Sequence, residues 1–267
     1  MARRRYRDDR PRPDGRPDGA PEPATLAWRP DNPDVTTLIE ESEIDSYDLI
    51  PWGSNYTFLV TLRHPTEGCS YGVYKPRRGE SPLYDFPEGT LYRRERAAYV
   101  VSHALGWDIV PPTVIRDGPY GVGMVQLFVE ADTNAHYFTF GPEIPAAARR
   151  VALFDCVINN TDRKAGHLLR GADGRVWAID HGLTFHPSPK LRTVIWEYAG
   201  EPYPDRLARD LAAFLTRLDA ADGPAAELKV LLSGRECEAL RRRTKSVLDA
   251  GAYPQPVSYR SMPWPSI

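Results

Sequence analysis

Cysteine is scarce in this chain: Cys69, Cys156 and Cys237 are the only three among 267 residues, far apart and with no C-x-x-C pair. That leaves no disulfide framework or zinc knuckle to organise the fold, and it fits a reducing, cytoplasmic compartment. Long apolar runs are missing too, since none approaches the ~20 residues that cross a bilayer, and the first residues lack the apolar core of a signal peptide. A soluble, intracellular protein is expected, not a transmembrane one. Nor does one sign of charge dominate: 34 Lys and Arg stand against 36 Asp and Glu, a formal net charge of -2. The overall basic field that accompanies nonspecific nucleic-acid binding is therefore absent. What is present, 42% hydrophobic and 26% charged residues, suits one globular unit of two lobes or two small domains.

Residues 1–34 mix Arg, Asp, Pro and Gly with almost no aliphatic side chains, so burial cannot offset their ordering entropy and they read as a disordered tail. Its Arg3-Arg4-Arg5 cluster is either solvated or touches an acidic partner or lipid headgroup. Residues 52–60 and 70–75 are rich in Tyr, Phe, Val and Thr and flank the turn-like His64-Pro65-Thr66-Glu67-Gly68, which reads as a hairpin entering a third strand. Residues 91–105 have helical spacing and stop at Gly106; residues 113–115 and 122–130 read as strands joined at Asp117-Gly118-Pro119. A mostly apolar helix over 146–158 leads through Asn159-Asn160 to a hairpin of 167–170 and 175–179, and helices over 205–218 and 234–248 close the chain. The expectation is an α+β fold: a small β-rich lobe over residues 35–130, then a larger helical lobe over 131–267.

Lys75 ends the strand Tyr71-Gly72-Val73-Tyr74-Lys75, on the face shared by Val73 and Tyr71. It is one of five lysines, with Lys164, Lys190, Lys229 and Lys245, in a chain that otherwise uses Arg. It either snorkels to water or stays buried against an anion. Glu95 is the natural partner, because Leu91, Glu95, Ala98, Ser102 and Leu105 form one helical stripe in which an unpaired carboxylate would be costly. The alternative is a solvated Glu95 within Arg93-Arg94-Glu95-Arg96. The strongest signal is Asn159-Asn160-Thr161-Asp162-Arg163-Lys164-Ala165-Gly166-His167, running into Ile179-Asp180-His181-Gly182. Such loops suit phosphoryl transfer: Asp162 can orient or deprotonate a nucleophile, while His167 and Asp180 can hold a metal bridging phosphates. Arg163 can anchor the loop or neutralise developing charge, and Asp155 reads as structural.

The pattern Asn160-Thr161-Asp162-Arg163, then His167, then Ile179-Asp180-His181-Gly182 resembles the catalytic and metal-binding loops of the phosphatidylinositol 3- and 4-kinase group and its atypical-kinase relatives, HipA-like kinases included. The chain looks like a member of an actinobacterial family of phosphatidylinositol 3/4-kinase-like proteins, over roughly residues 52–185. The resemblance implies a protein-kinase-like fold that uses ATP with Mg2+ or Mn2+. It makes Lys75 the phosphate-contacting lysine, Glu95 its partner, Asp162 and Arg163 catalytic, and Asp180 with His167 the metal site. Backbone N–H groups of Gly53, Ser54 and Asn55 would meet phosphate oxygens, and residues 125–130, with Gln126 and Phe128, would form the strand that meets adenine.

Three departures qualify the match. His167 stands where many kinases use Asn and favours a transition metal such as manganese over magnesium. His181 replaces the Phe of D-F-G, and the covering loop has one glycine where protein kinases use three. These keep open a nucleotide-binding pseudokinase or scaffold, and a second alternative is a metal-dependent hydrolase built on Asp162, His167, Asp180, His181 and His186. The phosphoryl acceptor (a protein, lipid or small-molecule hydroxyl) is unmarked, with Lys190 and Arg192 the basic residues nearest the metal loop.

Overall fold

The computed structural model describes residues 27–51, 55–132, 134–141 and 144–267. The N-terminal part is built on a five-stranded antiparallel sheet: β1 (Glu43–Ile50), β2 (Thr57–His64), β3 (Gly68–Pro76), β4 (Thr113–Gly118) and β5 (Gly121–Leu127), in the spatial order β1-β2-β3-β5-β4. Strand alternation divides β3 between two environments. Tyr74 is fully buried in a cluster with Phe58, Val60, Leu62, Val114 and Val125, capped by helix α1 (Val35–Glu41) through Val35, Leu38 and Ile39. Lys75, the next residue, turns to the opposite face, pairs with Met124 across the ladder and opens onto the interlobe cleft. The face that carries Val73 and Lys75 is therefore the cleft face, and the core lies under Tyr74.

Trp28 changes the expected start of the ordered chain. The Ala27 N–H donates to Cys69 O at 3.0 Å, and the indole of Trp28, 6% exposed, donates to Glu67 O at 2.7 Å. Ala27 and Trp28, expected within the tail, thus pack on the β2–β3 hairpin, because one large aromatic buries enough surface to offset their ordering. Residues 1–26, including Arg3-Arg4-Arg5, lie outside the described residues. Strand β1 and helix α1 occupy residues for which the sequence predicts no element: β1 is an exposed edge strand, EIDSYDLI, without unbroken apolar alternation. The strand expected to continue to residue 130 stops at Leu127.

Helix α2 (Leu91–Ala104) follows the loop after β3, and its N-terminus is capped from a distance: both Glu80 oxygens accept, from Leu91 N–H at 3.1 Å and Tyr92 N–H at 2.8 Å. The helical lobe is organised round α3 (Pro145–Ile158), whose Val151, Leu153, Phe154, Val157 and Ile158 are completely buried. A helix apolar on most sides belongs in a core. Around it lie the short hairpin β6 (Leu168–Arg170) and β7 (Val176–Ala178), then α4 (Asp205–Leu218), α5 (Gly223–Leu231) and α6 (Gly234–Ala250). Leu207, Leu211 and Phe214 bury one face of α4, at helical spacing. Helix α6 starts at a capping box between Ser233 and Glu236 and ends at Gly251, where φ is +65°.

Candidate active site

A cleft of about 690 Å³ separates the sheet from the helical lobe, with Lys75 and Glu95 on one side and Asp162, Lys164, His167 and Asp180 on the other. Lys75 Nζ lies 2.5 Å from Glu95 Oε1 and 2.9 Å from Asp180 Oδ1, so it joins the two lobes. Glu95 is 1% exposed, and its second oxygen accepts the backbone N–H of His181 at 2.8 Å. Leu91, Glu95, Ala98, Ser102 and Leu105 are all buried, as the helical stripe requires. Burial alone would lower the Lys75 pKa, yet the Asp180 and Glu95 carboxylates carry it above the ordinary lysine range. The same contact holds the Asp180 carboxyl well below the usual carboxylate range, with Lys75 the main cause.

The loop after α3 begins with a left-handed cap, Asn159 at φ +52°, whose side-chain amide donates to His186 O and Ser188 O at 2.8 Å. Asn160 Oδ1 accepts the Asp162 N–H at 3.0 Å and so sets the next turn. Asp162 faces the cleft with Lys164 Nζ 3.5 Å from its Oδ2; burial pushes its pKa up to about 6 against the pull of Lys164. His167 Nε2 lies 3.3 Å from Asp180 Oδ2, and burial pushes the imidazole down to about 4, leaving it neutral at pH 7. Asp180 is a non-glycine residue at φ +61°, a conformation that side chains adopt at a cost and that recurs at functional sites.

Arg163, expected to be catalytic, does not reach the cleft. It is completely buried, donates to both Asp155 oxygens at 3.0 Å and to Ile179 O at 2.9 Å, and its Nη2 lies 2.8 Å from His181 Nε2. A guanidinium only donates, so that nitrogen of His181 accepts. His181 is buried as well, which with Arg163 beside it keeps the ring neutral. Arg163 thus ties the loop that carries Asp162 to the loop that carries Asp180, and His181 accepts from that tie. Asp155 is structural as expected, accepting also from Asn160 Nδ2 at 3.0 Å.

Other expected contacts divide. Gln126 and Phe128 line the cleft, but Gln126 Nε2 donates to Thr113 Oγ1 at 2.9 Å and the Phe128 N–H goes to Tyr71 O at 2.9 Å. The Phe128 N–H is therefore already used within the sheet, whereas the Thr113 contact takes only one of the two N–H groups of the Gln126 amide. Asn55 lines the cleft and braces the loop between β1 and β2, its Oδ1 accepting the Ser81 N–H at 2.7 Å. Gly53 and Ser54 lie outside the described residues. The five-residue metal cluster of the hydrolase alternative is not assembled: His181 is spent on Arg163, and among the described residues no group of three or more His, Cys, Asp or Glu is placed to hold a metal.

Three features escaped the sequence reading. Lys164 belongs beside Asp162, and the scarcity of lysine that singled out Lys75 applied to it equally. Glu80 caps α2 from eleven residues away, beyond the reach of any local capping pattern. Residues 266 and 267 return to the loop after α3, where the Ala165 N–H donates to Ser266 O at 2.8 Å and Ile267 joins the cleft lining.

The chain is 40% identical over 271 aligned residues to Protein Rv2133c of Mycobacterium tuberculosis (strain ATCC 25618 / H37Rv), covering 87% of this chain and 95% of that protein. It is 32% identical over 157 residues to phosphatidylinositol 4-kinase gamma 4 of Oryza sativa subsp. japonica, covering 50% of this chain and 26% of that kinase. No family profile matches the chain. Among solved structures, that of hydra Fam20 with sugar superposes with a TM-score of 0.51 at 15% identity, over 81% of this chain and 86% of that one. At that identity the likeness gives the fold: a protein-kinase-like arrangement with a β-rich lobe over a helical lobe.

Proposed function

Since the chain belongs to the family of Protein Rv2133c and has a protein-kinase-like fold, we propose that it is an ATP- and divalent-metal-dependent phosphotransferase. The observation that carries this reading is the ionic chain Glu95–Lys75–Asp180 across the lobes, with the Asp162 carboxylate in the same cleft. Lys75, held by Glu95, would meet phosphate oxygens of ATP once nucleotide competes with Asp180 for its charge. Asp162 would accept the acceptor hydroxyl's proton as the acceptor oxygen bonds to the γ-phosphorus and the bond from that phosphorus to the β–γ bridging oxygen breaks, leaving ADP. Lys164, 3.5 Å from Asp162, would stabilise the charge spreading over the transferred group.

The donor set fits a divalent cation: an exposed carboxylate at Asp180 and a neutral imidazole at His167, 3.3 Å apart, leave most positions to phosphate oxygens and water. Bound there, Mg2+ or Mn2+ would neutralise and align the β- and γ-phosphate oxygens. Imidazole as the second ligand favours manganese. The acceptor is a hydroxyl of a protein, lipid or small molecule; the similarity to a phosphatidylinositol 4-kinase makes an inositol lipid one member of the test panel. No described helix is long and apolar enough to cross a membrane.

The test is release of ADP from ATP with Mg2+ or Mn2+, alone and with a panel of protein, lipid and polyol acceptors, for the wild type and Asp162→Asn. Turnover that is lost in Asp162→Asn while ATP binding persists supports the reading. ATP binding without turnover under any acceptor points to the pseudokinase.

A further inference from the structure

Two consecutive residues of α2 grip the two ends of one turn in the metal-site loop. Glu95 Oε2 accepts the His181 N–H at 2.8 Å, and Arg94 Nη1 donates to Thr184 O at 2.8 Å. Between them Thr184 Oγ1 donates to His181 O at 2.7 Å and closes the turn. Asp180 immediately precedes it, in its left-handed conformation. The run Arg93-Arg94-Glu95-Arg96 reads as a solvated helix surface, but Arg94 is 2% exposed and points inward.

Arg94 is itself braced. Its Nη2 donates to Glu236 Oε1, and the ring of Phe86 lies 4.9 Å from its guanidinium carbon. Glu236 uses its other oxygen in the α6 capping box, accepting from Ser233 N–H at 2.8 Å and Ser233 Oγ at 2.7 Å. A rigid path therefore runs from the start of α6 through Glu236 and Arg94 to the carbonyl of Thr184. Arg96 makes a second tie to the helical lobe, its Nε 2.6 Å from Glu227 Oε1 of α5. Burying a guanidinium is costly, and an apolar side chain could pack α2 here equally well. What an apolar side chain cannot do is hold a loop carbonyl.

We propose that Arg94, braced by Glu236, is a positioning residue for Asp180: with Glu95 it fixes the 181–184 turn and so the aim of the Asp180 carboxylate into the cleft. The proposal deepens the phosphotransferase reading, on which its nucleotide-binding arm rests; the fixing of the turn stands apart from it. Side chains that orient a metal ligand from behind commonly change metal affinity by about 10- to 100-fold when lost.

The test uses the full chain in two variants. Arg94→Lys keeps a charge beside Glu236 but has no planar fork to serve two acceptors on different elements. Arg94→Met with Glu236→Gln removes both charges, leaves no buried ion unpaired and keeps an acceptor for the Ser233 cap. In both, the His181 amide is expected to exchange with solvent about tenfold faster or more, while amides in the middle of α6 exchange as in the wild type. MgATP affinity, measured by calorimetry, falls about 10-fold or more, and affinity for metal-free ATP does not change. Unchanged exchange at His181 in Arg94→Lys overturns the proposal, and this arm decides if the double variant fails to fold. A wild type that binds no MgATP overturns the phosphotransferase reading instead, and the exchange arm still decides the role of Arg94.

Discussion

Arg163–Asp155 and Lys75–Asp180 are two ion pairs on either side of one loop, and they differ in how fully each partner is used. Arg163 and Asp155 are completely buried and saturated with further bonds, to Ile179 O, His181 and Asn160. Lys75 and Asp180 keep 21% and 47% of their side chains exposed to the cleft. A saturated pair cannot exchange a partner for a ligand without leaving a buried charge alone, so it acts as a hinge pin for two loops. An open pair exchanges readily, which suits a lysine that must release a carboxylate and take a phosphate. Charge and proximity are common to both; exposure and spare bonding capacity separate anchor from working group.

Four perturbations sharpen this contrast, beginning with the largest effect. Asp162→Asn should lower turnover by about 10³-fold or more while the melting temperature stays near that of the wild type, because Asn keeps the shape but cannot take the proton; steady-state kinetics beside a thermal melt would check both. Arg163→Met should cost about 3–5 kcal/mol of stability, since Asp155 would be left buried without its cation; urea denaturation would read it. Asp180→Asn should do the reverse, removing the metal response of ATP binding with about 1 kcal/mol or less of stability change, since the lost carboxylate is exposed to the cleft and Lys75 keeps Glu95. Equal stability losses in Arg163→Met and Asp180→Asn would erase the distinction between the pairs.

The fourth perturbation is pH. Asp162 must be ionised to accept a proton, and burial has raised its pKa to about 6. The value of kcat/KM should therefore climb as pH rises through about 6 and level off above it, because the raised pKa delays ionisation of the base. His167, pushed down to about 4, is already neutral across that range and adds no step of its own. A profile flat from pH 5 to 8 would remove Asp162 from the role of base.

Much of the site was legible in the sequence because its signals are local. The stripe through Glu95 and the N-T-D-R to D-H-G spacing each span a few turns of one element, and both mark residues that now face one cleft. What escaped depends on contacts between distant segments. Arg163 sits beside Asp162 and the sequence leaves it either a loop anchor or a charge-neutralising group; only its burial against Asp155, eight residues upstream, decides for the anchor. Gln126 and Phe128 sit at the expected place on the cleft wall, but a cross-strand bond to Tyr71 O already uses the Phe128 N–H. Strand β1 carries no unbroken apolar alternation because its register shifts between Ile44, which packs on the core, and Ser46. Trp28 lies in a stretch whose composition is that of a tail, and a single buried aromatic is invisible to composition.

Metal-linked ATP binding tests the central claim most directly: calorimetry of ATP with Mg2+, with Mn2+ and without metal, on the wild type, Lys75→Met and Asp180→Ala. The account predicts binding to the wild type that strengthens with metal, more with Mn2+ than with Mg2+. It predicts little or no binding to Lys75→Met, and binding to Asp180→Ala that no longer responds to metal. A wild type that binds no ATP with either metal, or variants that bind like the wild type, would contradict it.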